Sequence, residues 1–255
     1  MRADRAAVVG VILAVGITTT MDATGYSLYS ALPLLALTVV FAILLRLSRV
    51  ELGLRWGRAG AHALGLAYPV FVLGLCALAA GATGGLDVSR THWGEIGLDI
   101  VLMSTTGILI GLLTEEGFFR GWLWGALERS GQSPRRALIV STVAFTLWHV
   151  SAVTLDTGFD VPLRQVPVYL INATLLGAVW GTLRAWSGSI VVASVSHSVW
   201  NGLTYPLFGF GTRVGALGIE RTDVFGPEVG LLGIPLNLAF AGFLWLRARR
   251  DEPGL

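Results

Sequence analysis

The sequence predicts an all-α protein, a polytopic transmembrane helical bundle of about eight spans, and three observations carry that prediction. Of the 255 residues, 54% are hydrophobic and only 13% charged, whereas soluble domains carry about 45–50% apolar and about 25% charged residues. With a mean hydropathy of +0.70, a soluble enzyme would have too little polar surface to cover its core. The apolar residues fall in blocks of a length suited to helices that cross a bilayer, separated by short charged or Gly/Pro-rich breaks. All 18 basic residues are arginines, and they cluster in those breaks, the pattern of loop charges on a membrane protein. No basic run interleaved with aromatics occurs, so nucleic acid is not an expected partner. The single cysteine, Cys76, lies in an apolar stretch, which excludes an intramolecular disulfide and a cysteine-based metal site.

Dividing the apolar blocks at their breaks gives spans at about 6–20, 28–47, 59–82, 96–127, 137–155, 166–183, 190–205 and 229–246. The first block is short and follows Arg2 and Arg5, so it imitates a signal peptide, with Ala23 near a plausible cleavage position. The second block follows at once and needs a hairpin partner, so an uncleaved first helix is expected. In the sixth span, Gly177 and Gly181 form a small-xxx-small pair that permits close helix approach, and Asn172 reads as helix-packing glue. Ser187, Gly188 and Ser189 form a tight turn that pairs the sixth and seventh helices.

Alternate loops differ in arginine content. With a cytoplasmic N-terminus, thirteen arginines (2, 5, 46, 49, 55, 58, 129, 135, 136, 184, 247, 249 and 250) fall on the cytoplasmic side, and four (90, 164, 213 and 221) fall opposite. Positively charged loops are retained inside, so the expectation is a multi-pass cell-membrane protein with both termini cytoplasmic. The remaining arginine, Arg120, lies inside a span. One membrane domain is expected over 1–255. The Gly-rich break from Pro206 to Glu228 reads equally as an ordered cap or a flexible loop.

An ionisable group at the bilayer centre costs about 2.5–3.5 kcal/mol even on lenient scales, and usually faces a cavity or a partner. Here such groups gather in three places: Glu115, Glu116 and Arg120 in the fourth span, His149 in the fifth, and His197 with Asn201 in the seventh. Their positions within the spans put them at comparable depth. Glu116 and Arg120 are four apart, so they share a helical face and can neutralise each other. Glu115 is turned about 100° from Glu116 and left free for chemistry. His197 and Asn201 are also four apart, and Phe145 sits one turn before His149, placed to pack beside its imidazole.

These residues fall into three short motifs: EExxxR at 115–120, FxxxH at 145–149 and HxxxN at 197–201. In this order, on separate apolar helices, they resemble the CAAX-protease and bacteriocin-processing (CPBP, or Abi) family of type II CAAX prenyl endopeptidase-like intramembrane proteases. The resemblance implies a glutamate-type intramembrane endopeptidase with a CAAX-protease-like catalytic core at 96–205, from a family first described as metalloproteases. Glu115 and His149 would activate a water for attack on a peptide carbonyl, and His197 and Asn201 would stabilise the oxyanion as neutral donors, while Arg120 would hold Glu116 and Phe145 would support the site. It also implies a peptide or membrane-protein substrate. A carboxylate with an imidazole suits general-base work, and donors aimed at developing negative charge are strong in a water-poor site. Two Glu and two His could also bind zinc, but the HExxH pattern is absent, and a metal-free site is the favoured expectation, with no cofactor. Two alternatives use the same residues differently: a transporter with a polar path, or an immunity or scaffolding member of the family that binds a partner.

Overall fold

In the computed structural model, which describes residues 2–89 and 91–252, the chain is almost entirely helical. The order is α1 (Ala3–Ala23), α2 (Leu32–Leu45), α3 (Ala59–Ala82), α4 (Trp93–Leu113), a π-helical segment (Glu116–Leu123), α5 (Trp124–Arg129), α6 (Pro134–Trp148) and α7 (Val150–Thr154). It continues with α8 (Val166–Ser187), α9 (Ile190–Phe208), the short strands β1 (Gly209–Phe210) and β2 (Arg213–Val214), α10 (Thr222–Phe225) and α11 (Gly233–Asp251). Six helical stretches are long and apolar enough to cross a bilayer, among them α3 and the run Trp93–Arg129 of 37 residues. Both α9 and α11 are 19 residues long but fall outside that set, α9 because it carries His197, Asn201 and three serines, α11 because three arginines crowd its last turns.

The predicted third span coincides with α3. The last predicted span is displaced: residues 229–232 form a turn, and the helix runs on to Asp251. Local signals set the other boundaries. Ser133 caps α6 by accepting from the Arg136 N–H, with Pro134 at the first helical position. Gly188 ends α8 at φ +69°, a conformation that favours glycine, and the Ser189 hydroxyl accepts from the N–H groups of Val191 and Val192 to start α9. The α8–α9 hairpin is therefore built as expected.

Helix α9 lies against α4 and α3, while α8 packs against α6 and α11. The α6–α8 contact runs over Gly177 and Gly181, where an added Cβ would press on Thr142, Phe145 and Leu138. Cys76 is buried in the core. A buried polar network ties the C-terminal part to the bundle. Asn172 donates to the Glu228 carbonyl (2.9 Å) and accepts from Asn237 (3.0 Å), which in turn accepts from the Tyr68 hydroxyl (2.6 Å). The Trp200 indole N–H donates to the Glu228 carboxylate at 2.7 Å.

The helix ends define two faces. On one, Arg58 pairs with Glu252, Arg129 with Glu51, and the Trp186 indole donates to Asp251. Burial pushes the Glu51 carboxyl up, but the Ser48 N–H and hydroxyl and the Arg129 guanidinium outweigh it and hold it below the usual carboxylate range. On the other face, the 206–228 stretch is an ordered cap. Its β1–β2 ladder is extended by Ala216 and Leu217 donating back to Pro206 and Leu207, and Asp87 and Thr91 bind it from the α3–α4 connection.

Two arginines assigned from sequence to loops need comment. Arg184 is 5% exposed, inside α8; its guanidinium donates to the carbonyls of Arg120 (3.0 Å) and Glu51 (3.1 Å). It is a buried staple rather than a loop charge, because its long side chain reaches backbone carbonyls left open by the π segment and the α2–α3 loop. Arg90 lies outside the described residues.

Helix α1 is seated by Gly10, where an added Cβ would overlap the rigid Trp122 indole; nothing lies near Gly16 on the same helix. Overpacking typically costs about 1–3 kcal/mol. Gly10→Ala is therefore expected to lower the thermal midpoint of the detergent-solubilised protein, whereas Gly16→Ala leaves it unchanged or slightly raised.

Candidate active site

The fourth apolar stretch is not a uniform α-helix. It breaks at Thr114 (φ −106°, ψ −94°) and continues as the π segment Glu116–Leu123, so the simple 100° step does not apply across the motif. Single π turns inside helices commonly mark functional sites. All eight residues of the π segment are buried, while Glu115, at the break, is half-buried and faces a cleft.

His149 stands at a second break. Its backbone N–H donates to the Thr146 carbonyl (3.1 Å) instead of continuing the α-helical ladder. The Phe145 carbonyl is thereby left for the imidazole, whose Nδ1 lies 2.9 Å away. A carbonyl only accepts, so Nδ1 carries the proton, and neutral His149 presents the Nε2 lone pair. That nitrogen faces Glu115 Oε2 at 4.0 Å, too far for a direct hydrogen bond and suited to two groups that share a small molecule between them. Phe145 packs beside the ring, with centroids 4.3 Å apart.

Glu116 and Arg120 form an ion pair in which neither side chain is exposed, Nη1 to Oε1 at 3.3 Å. The same carboxylate oxygen lies 3.0 Å from Nδ1 of His197, a contact across 81 residues of sequence that the spacing did not signal. Facing an ionised carboxylate, Nδ1 must carry the proton. His197 is further held by stacking on Trp180, with centroids 3.7 Å apart and planes 16° apart. Arg120 also donates to the Gly177 carbonyl (3.2 Å) and lies over the Phe145 ring at 4.2 Å. Phe145 thus touches both histidine environments, with its centroid 6.2 Å from that of His197.

Glu115 and His149 come together in a cleft of about 460 Å³, within the usual range for a ligand site. His197 is buried behind it, and neither His197 nor Asn201 lines the cleft. Asn201 is half-buried on α9, and among the described residues its side chain makes no hydrogen bond. Ser194, on the same helical face, donates to the Ile108 carbonyl and serves helix packing. Sequence reasoning missed Asp22, Tyr169 and Tyr205, which line the cleft. Asp22 accepts from the Ser151 hydroxyl at 2.6 Å, and its place at the end of an apolar first block was the one signal available. No group of three His, Cys, Asp or Glu side chains among the described residues is disposed to hold a metal ion. Glu116 is already engaged by Arg120 and His197.

Residues 97–203, from within α4 to within α9, match the family model described as Type II CAAX prenyl endopeptidase Rce1-like. The chain carries an Rce1-like segment. No curated protein matches the chain. The Rce1-like segment contains Glu115, Glu116, Arg120, Phe145, His149, His197 and Asn201, and the family is one of peptidases. The match lies within a chain that has six helices long and apolar enough to cross a membrane.

Removing one partner of a buried ion pair typically costs about 3–5 kcal/mol, whereas replacing both can be close to neutral. Glu116→Ala and Arg120→Met are each expected to depress the thermal midpoint strongly, and the double variant Glu116→Gln with Arg120→Met to recover most of the loss. Glu115→Gln, at a half-buried position without a close partner, should stay within about 0.5 kcal/mol of the parent. Thermal unfolding in detergent measures all four.

Proposed function

We propose that the chain is an eight-span intramembrane endopeptidase with both termini cytoplasmic, hydrolysing a peptide bond in a peptide or membrane-protein substrate without a metal. The observation that carries this reading is the Glu115–His149 pair, facing across 4.0 Å at the cleft wall with the His149 tautomer set by the Phe145 carbonyl. A water about 2.8 Å from each can donate one hydrogen to the Glu115 carboxylate and the other to His149 Nε2. Its oxygen lone pair is then directed at the substrate carbonyl. As the new C–O bond forms, a water proton passes to the pair. When the C–N bond breaks, that proton goes to the leaving amine.

The oxyanion role of His197 and Asn201 rests on the resemblance of 197–201 to the HxxxN motif alone, since neither side chain lines the cleft that holds Glu115 and His149. The Glu116 contact attaches a condition. With Nδ1–H directed at Glu116, a neutral His197 has a bare lone pair on Nε2 and cannot donate to an oxyanion. The role requires the imidazolium, with both ring nitrogens protonated, so His197 would act as a charged donor rather than the neutral one expected from sequence. Arg120, Phe145 and Trp180 then act as positioning residues.

With purified protein and a peptide substrate, Glu115→Gln and His149→Ala should each lower kcat by about 10²–10⁴-fold while the fold is retained. Asn201→Ala should cost about 10²–10³-fold. Unchanged turnover in the first two variants refutes the proposal. Activity is expected to persist in EDTA; its loss, with rescue by zinc, would overturn the metal-free mechanism.

A further inference from the structure

The cleft that holds Glu115 and His149 is walled on its outer side by residues at one set of helix ends. Its outer wall is built by Asp22 at the end of α1, Leu28 in the α1–α2 link, Thr157 after α7, Tyr169 in the first turns of α8, Tyr205 near the end of α9, and Arg213 on β2. The Ser27 hydroxyl donates to the Thr157 carbonyl at 3.0 Å, closing one side of the mouth. Each of these lies at the helix ends opposite the face where Arg58 meets Glu252 and Arg129 meets Glu51.

The two faces differ in arginine. With Arg184 set aside as a buried staple, twelve arginines remain on or beside the face away from the cleft, at the N-terminus, the α2–α3 loop, the α5–α6 turn and the end of α11. On the cleft face, the described residues contribute Arg164, Arg213 and Arg221. Arginine-rich loops stay on the cytoplasmic side, so the mouth of the cleft belongs to the opposite side. From this we infer that the cleft takes polypeptide segments presented at the extracytoplasmic face of the membrane, either translocated peptides or the outer juxtamembrane parts of membrane proteins, and not cytoplasmic chain ends. The inference rests on the peptidase reading for what is done to the segment. The side from which the cleft is reached rests on the fold and the arginine distribution alone.

The test uses labelling and needs no activity. The lone cysteine is removed by Cys76→Ala, and single cysteines are placed by Leu28→Cys at the mouth, Ala152→Cys within the cleft wall, and Val50→Cys on the exposed α2–α3 loop. A membrane-impermeant maleimide is applied to intact cells and to inverted vesicles from the same cells. Leu28→Cys and Ala152→Cys are expected to react in intact cells, and Val50→Cys only in inverted vesicles. Reaction of Leu28→Cys from inverted vesicles alone, or from neither preparation, overturns the inference. If instead the labelling pattern holds but the detergent-purified protein cleaves no peptide, the peptidase reading fails and the orientation of the cleft stands.

Discussion

The buried pairing of Glu116 with Arg120 is the constraint from which the rest of the site follows. Each charge, taken from water into a packed helical interior, carries a desolvation penalty of several kcal/mol, and neither side chain retains any exposure. Further partners offset part of that penalty, while Glu116 Oε2 and Arg120 Nε stay buried without a hydrogen-bond partner among the described residues. His197 approaches the same carboxylate oxygen, the Gly177 carbonyl accepts from Arg120, and the Phe145 ring lies against the guanidinium. These partners come from α6, α8 and α9, so satisfying one ion pair fixes four parts of the bundle relative to one another.

The π segment is the backbone counterpart of that constraint. The widened turn puts eight consecutive residues, four of them aromatic or aliphatic, into the interior together with the ion pair. A π turn also disturbs the carbonyl ladder, and the Arg120 carbonyl is met by the buried Arg184 guanidinium. Glu115 sits at the start of this segment, where the chain breaks at Thr114. One carboxylate is thus engaged in structure, and its neighbour is left at the cleft wall opposite His149. The division of labour between adjacent glutamates comes from a helix irregularity, and His149 reaches its own place through a second one.

Much of this was legible in the sequence, for identifiable reasons. Charge scarcity exposed Glu115, Glu116, Arg120, His149 and His197, because polar residues at membrane depth stand out against an apolar background. The Glu116–Arg120 and Phe145–His149 contacts followed from helical spacing, and the hairpin at Gly188 followed from turn chemistry. What was not legible depends on distance or on irregular backbone. A contact between Glu116 and His197 leaves no local trace, nor does the stacking of Trp180 on His197. Arg184 reads as a loop charge because it lies six residues before α9, and only its reach to the Arg120 and Glu51 carbonyls shows that it is buried. Asp22, Tyr169 and Tyr205 sit near helix ends, where polar residues are unremarkable, and become cleft residues only when those ends converge.

The central claim is that two carbonyl and carboxylate acceptors, Phe145 O and Glu116 Oε1, fix the orientation of the two histidines. It can be tested without substrate by ¹⁵N NMR of the histidine-labelled protein near neutral pH. The chain has 4 histidines, so the signals can be assigned with His149→Ala and His197→Ala. The account predicts that His149 is a neutral imidazole protonated at Nδ1, and that His197 carries a hydrogen-bonded Nδ1–H that changes in Glu116→Gln. A His149 protonated at Nε2, or a His197 signal indifferent to Glu116→Gln, would contradict it.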